Sequence, residues 1–152
     1  MGRSSAGIDL PDTRIFDAEA LWYDVSRWPS FVEGFKHVVR VEGEWPQVGS
    51  RVIWQSVPDG RGCVSETVLA HTQREGQEVE VEDPRISGRQ RVTFAVHGEN
   101  AVRMTLALDY TLRDAGPLSA VTDLIFIRRA QSDALRRTLQ RFARELEAER
   151  RL

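Results

Sequence analysis

Arg128 carries the strongest chemical signal in this chain of 152 residues. It falls in a C-terminal segment where Leu135, Leu139, Phe142 and Leu146 recur at 4-3-4 spacing and mark one apolar stripe of a helix. With about 100° between successive residues, Arg128 projects about 10° from the mean direction of that stripe, and Arg129 about 110° away from it. An arginine within an apolar stripe needs water or a counter-charge, because an unpaired buried charge is too costly. Two readings are open. The guanidinium snorkels at the helix edge or pairs structurally with Glu66 or Asp24. Alternatively it anchors a carboxylate, phenolate or enolate of a bound molecule, anions that its fork of donors fits. Ser132, one turn further on, extends the polar spot.

Tyr110 is a second proton-bearing candidate, able to donate to a ligand carbonyl. A phenol that titrates near about pH 10 needs tuning before it serves as a general acid. The three histidines, His37, His71 and His97, fall on different strands without ligand spacing, so no metal site is expected. No G-x-S-x-G occurs, and Cys63 has no evident histidine base. As the single cysteine it also excludes an internal disulfide. Gly60 and Gly62, in Pro58-Asp59-Gly60-Arg61-Gly62, read as hairpin glycines rather than a phosphate cradle, since no helix follows them. No cofactor is expected.

The elements that position these residues follow from periodicity. Hydrophobic residues are 41% and charged residues 29% of a length that suits one domain, 1–152. Residues 1–7 are small and polar and are expected to be ragged, with a short strand over 7–10. Asp17 is expected to cap a helix over 18–26, with Leu21, Trp22 and Val25 on one face. Pro29 ends that helix, and 30–34 forms a second one closed by Gly34. From 36 onward the period is two. Strands are predicted over 36–43, 49–57, 62–73, 76–83, 88–97 and 101–113, separated by turn signals and forming an antiparallel meander. Met104, Leu106, Leu108, Tyr110 and Leu112 alternate with polar neighbours, so one face of the sheet is covered. The cover is a long helix over 118–152, opened by Pro117 and carrying Val121 and Leu124 within about 30° of the stripe. Trp28, Phe31, Phe35, Trp54, Phe94, Met104, Leu106, Leu108 and Tyr110 make the expected apolar lining between sheet and helix.

This order, with Trp22, Asp24, Trp28 and Pro29 in the string Leu21-Trp22-Tyr23-Asp24-Val25-Ser26-Arg27-Trp28-Pro29-Ser30-Phe31, resembles the START-like superfamily. Within it the polyketide cyclase/dehydrase and lipid-transport group is most similar. The resemblance implies an α+β helix-grip fold, β-α-α-β6-α, whose curved sheet grips the long helix around a cavity for a hydrophobic ligand. It also implies that Cys63, Ser65, Thr67 and Leu69 face the cavity. Several aromatase/cyclases of the group carry an arginine where Thr67 stands here, a departure that speaks against aromatase chemistry.

Three functions are compatible with these residues. The first is a binding module that holds a lipid, isoprenoid quinone or polyketide for transport or sensing. The second is a cyclase, dehydratase or aromatase in which Arg128 holds enolate charge and Tyr110 or Ser65 relays protons. The third is a protein-interaction module with a filled core. Net charge −2 and a tail of mixed sign argue against nucleic acid. No apolar run approaches the roughly 20 residues of a membrane span, and the first residues lack the apolar core of a signal peptide. A cytoplasmic monomer or homodimer with a small hydrophobic ligand is therefore expected.

Overall fold

Strand alternation dictates the layers of this molecule, whose computed structural model describes residues 2–113 and 120–152, with side chains from 125 onward in the second stretch. Strand β1 is Gly2–Pro11, followed by helix α1 (Ile15–Trp22), a 3-10 turn at Val25–Arg27 and the short helix α2 (Trp28–Phe31). Six hairpin-linked strands come next: β2 (Phe35–Glu42), β3 (Arg51–Ser56), β4 (Cys63–Thr72), β5 (Gly76–Glu82), β6 (Ile86–Val96) and β7 (Ala101–Leu112). Helix α3 spans Ala120–Arg150. The strands form one antiparallel sheet in the order β1-β7-β6-β5-β4-β3-β2, and α3 lies against β1 and α2. This is the α+β helix-grip arrangement. Register shifts in β2 and between Val68 and Ala70 of β4 mark irregularities, the kind of bulge that bends a strand.

β7 shows why one face is covered. Val102, Met104, Leu106, Leu108 and Tyr110 are buried, while the other parity is half-buried or exposed. On α3 the buried positions are Ile127, Gln131, Leu135, Thr138, Leu139, Phe142 and Leu146, which include the whole expected stripe. Val121, Leu124 and Pro117 lie outside the residues whose side chains are described.

Three expectations near the N-terminus are corrected. Residues 2–6 are not ragged: β1 starts at Gly2 and pairs with β7 along its whole length, Gly2 against Tyr110 to Pro11 against Ala101. Its inward positions Gly2, Ser4 and Ala6 are small: α3 packs on this strand, Ser4 Oγ donates to the Arg128 carbonyl at 3.3 Å, and the Tyr110 ring lies against Gly2. Asp17 is not the cap of α1. The helix begins earlier, with Arg14 at the N-cap. Asp17 lies in the first turn, where its charge suits the helix dipole and meets Arg14 Nε at 3.3 Å. Pro29 does not end α1 either; it opens α2, where a missing N–H is tolerated.

The string that carries the family resemblance is a fastening. Asp24 caps the 3-10 turn by accepting from Ser26 N at 3.1 Å. Trp28 Nε1 donates to the Trp22 carbonyl at 2.8 Å. The Trp22 ring stacks on Phe31 with centroids 5.6 Å apart and meets Phe142 of α3 edge-on at 5.8 Å. Arg27 reaches across to Glu145 and Glu149 of α3 at 2.8 and 2.5 Å, clasping the turn to the long helix.

Candidate functional site

At the end of the molecule where the loops 57–62 and 83–85 face α3, an outer groove and an inner chamber share four lining residues, Glu33, Arg61, Gln131 and Ala134. The groove encloses about 440 Å³. Val57, Ile86, Phe126, Ile127 and Ala130 give it apolar walls, and Asp59, Arg85, Asp133 and Arg137 add charge. The chamber encloses about 50 Å³, bounded by Trp22, Trp28, Trp54, Leu106 and Leu135 and by polar Glu66, Gln90, Gln131 and Thr138. A space of that size suits a few waters or the polar end of a small molecule. The larger groove suits a small-molecule body.

Glu66 stands in the middle of β4 on the parity of Val64 and Val68, which are buried. It is 8% exposed and accepts a hydrogen bond from Trp54 Nε1 at 2.7 Å. Burial pushes its carboxyl above the usual carboxylate range; the Trp54 bond and the positive charge of Arg61 act in the opposite direction and do not cancel it.

Arg61 is held in place by its neighbours. Gly62 takes φ +87°, a left-handed turn that a side chain would strain, and its N–H donates to Ser56 Oγ at 2.8 Å. The Ser56 N–H in turn donates to the Gly62 carbonyl at 2.9 Å. Arg61 Nε donates to Asp83 Oδ2 at 2.9 Å, and Asp83 Oδ1 accepts from the Arg85 and Ile86 N–H groups at 2.8 and 2.9 Å. The guanidinium carbon lies 5.9 Å from the centroid of the Trp54 ring. Arg61 Nη2 is buried without a hydrogen-bond partner among the described residues.

The expected site residues divide. Trp28, Trp54 and Leu106 line the chamber. Phe31, Phe35, Phe94, Met104, Leu108 and Tyr110 are buried in the core and border neither space. The Tyr110 hydroxyl is buried without a partner among the described residues, beneath Gly2.

Arg128 requires a correction: it is exposed, and it lines an outer depression with Ile125, Arg129, Ser132 and Asp133. The direction from α3 to the core rotates along the helix. Relative to Leu135, Phe142 and Leu146 lie within about 20° on an ideal helix, whereas buried Gln131 and Ile127 lie about 40° and 80° to one side. A straight helix crossing a twisted sheet gives this drift, and it leaves Arg128 outside. Neither expected partner is engaged with it, since Glu66 meets Trp54 and Asp24 meets Ser26.

The expected cavity face of β4 is also corrected. Cys63 and Leu69 are exposed, and Ser65 and Thr67 are half-buried on the outer face, where Thr67 Oγ1 accepts from Arg51 Nε at 3.0 Å. The inward parity is Val64, Glu66 and Val68. The alternation of valines signals this, and a glutamate between them is the mark of a buried acid. Arg61 has only a weak signal in the sequence, a single cation between two turn glycines.

Sheet, helix and groove together define a helix-grip protein with a candidate small-molecule site. A Thermus thermophilus protein of solved structure is similar, with TM-score 0.74 and 15% identity over 97% of this chain and 99% of its own. Norcoclaurine synthase from Thalictrum flavum, in truncated form, gives TM-score 0.69 and 11% identity over 95% of this chain and 94% of its own. A Deinococcus radiodurans protein gives TM-score 0.61 and 20% identity over 97% and 99%. Likeness at these identities is a likeness of fold. No family model and no curated protein sequence matches the chain. No described helix is long and apolar enough to cross a membrane.

Proposed function

We propose that this protein binds a small amphipathic molecule, a lipid, quinone or polyketide-like compound, for transport or sensing. The apolar body lies in the groove and the polar end enters the chamber. One observation carries this: an apolar groove and a chamber lined by the buried carboxyl of Glu66 share lining residues, Arg61 and Gln131 among them. Resemblance to the START-like superfamily supports the reading, through Trp22, Asp24, Trp28 and Pro29 and the fold shared with norcoclaurine synthase. The protein acts in the cytoplasm, without integral membrane association.

Native mass spectrometry of freshly purified protein tests this. A retained small molecule is expected, and filling the groove with Ala130→Trp should expel it. A bare mass, with no melting shift on adding medium-chain lipids, a quinone or a polyketide mimic, overturns the reading and favours an interaction module.

A second reading, a cyclase or dehydratase, draws on one observation: a buried acid whose carboxyl keeps its proton beyond the ordinary range is a candidate general acid. Glu66 takes the proton-relaying role that the sequence suggests for Tyr110 or Ser65; neither of these, nor Arg128, borders the groove or chamber. Glu66→Gln then abolishes turnover of a polyketide mimic while the retained molecule stays bound; a carrier shows no turnover to lose.

A further inference from the structure

Arg61 is unusual in having its orientation fixed while part of its donor set is unused. Its Nε is committed to Asp83, whose own carboxylate is pinned by the Arg85 and Ile86 N–H groups. Its face is directed at the Trp54 ring, so the guanidinium cannot swing freely into solvent. Nη2 is then left buried and unpartnered among the described residues, in a side chain that lines both groove and chamber. A buried donor without an acceptor is an unfavourable arrangement unless something else completes it. An arginine has no acceptor of its own, so what completes it must supply lone pairs.

We infer that Arg61 is an oxyanion anchor, and that the molecule in the groove is a carboxylate whose head group accepts from Arg61 Nη2 while its chain runs out past Ile127 and Phe126. This rests on the small-molecule reading of the groove and deepens it. A charged acceptor is favoured over a hydroxyl because a guanidinium donor strengthens its bond most with an anion. The charge of Asp83 is already spread over three donors, two of them backbone N–H groups, which lessens its repulsion of a second carboxylate. Glu66 works in the same direction. It lines the chamber, and burial disfavours its charged form, which lessens its competition with an incoming anion. The walls beyond are apolar, as the hydrocarbon part of such a molecule requires.

The test compares decanoate with decanol, which share a chain length and differ in the head group, by isothermal titration calorimetry on the whole protein. Wild type should bind decanoate at least about tenfold more tightly than decanol. Arg61→Met should remove that preference by weakening decanoate binding while decanol binding is unchanged, and Arg61→Lys should restore part of it. Because Arg61→Met leaves Asp83 without its partner, Asp83→Asn is measured beside it: it keeps the guanidinium and should retain preference for decanoate. Equal affinity of wild type for the two probes, or a preference that survives Arg61→Met, overturns the anchor and leaves the groove reading standing. Binding of neither probe overturns both.

Discussion

The C-terminal half of α3 meets α1 and α2 through interlocked rings, Phe142 lying 5.8 Å from Trp22 and 5.1 Å from Phe31, and Arg27 ties the contact to Glu145 and Glu149. Its N-terminal half faces the loops 57–62 and 83–85 across a groove and a polar chamber. One helix and one sheet thus produce a packed end and an open end, and the side chains decide which is which. Aromatic rings fill space without needing partners. Glu66, Gln90, Gln131 and Arg61 would lose hydrogen-bonding capacity if the same space collapsed on them, so the polar end stays open.

The largest effect is expected at the packed end. Phe142→Ala removes a fully buried ring and should lower stability by about 3–5 kcal/mol in urea denaturation. A loss under about 1.5 kcal/mol would mean the rings relax to close the void, and the contrast with the open end would fail.

A smaller effect, confined to pH, is expected at Glu66. Its carboxyl titrates higher in the folded protein than in the unfolded chain, because burial disfavours the charged form. The folded state therefore holds the proton more tightly. That contribution is complete below the unfolded carboxylate range and is lost as pH rises through the folded value. Glu66→Gln, still able to accept from Trp54, should lack this decline and be the more stable protein at neutral pH. Parallel stability curves for the two proteins from about pH 4 upward would show that the acid is well solvated after all.

The smallest effect belongs to Arg128. Arg128→Met should change stability by less than about 0.5 kcal/mol and leave any bound molecule in place, as expected of an exposed side chain. Release of the molecule in native mass spectra would return to Arg128 the anchoring role its helical spacing suggests.

Most of the architecture could be read from period alone. The six strands β2–β7 fall within two residues of their expected limits because each alternates or ends at a glycine or proline turn. The strand expected over 7–10 is the second half of β1; its first half escaped because Gly2, Ser4 and Ala6 face inward without being large and apolar. The site was less legible. Val64 and Val68 already pointed Glu66 inward, but the resemblance favoured the opposite face of β4. Arg128 misled because the spacing of a straight helix contains no information about the twist of the sheet it crosses. Arg61 gains its meaning only from Asp83 and Trp54, which folding brings to it from 22 residues later in the chain and from a neighbouring strand.

Gly2 has a practical bearing on anyone handling this protein. A methyl group there would sit 2.5 Å from Tyr110 Cζ and 2.7 Å from its oxygen. Even an alanine introduced at that codon by routine cloning would have to displace the phenol ring or peel the first strand from its neighbour. Expression plasmids should therefore preserve that glycine.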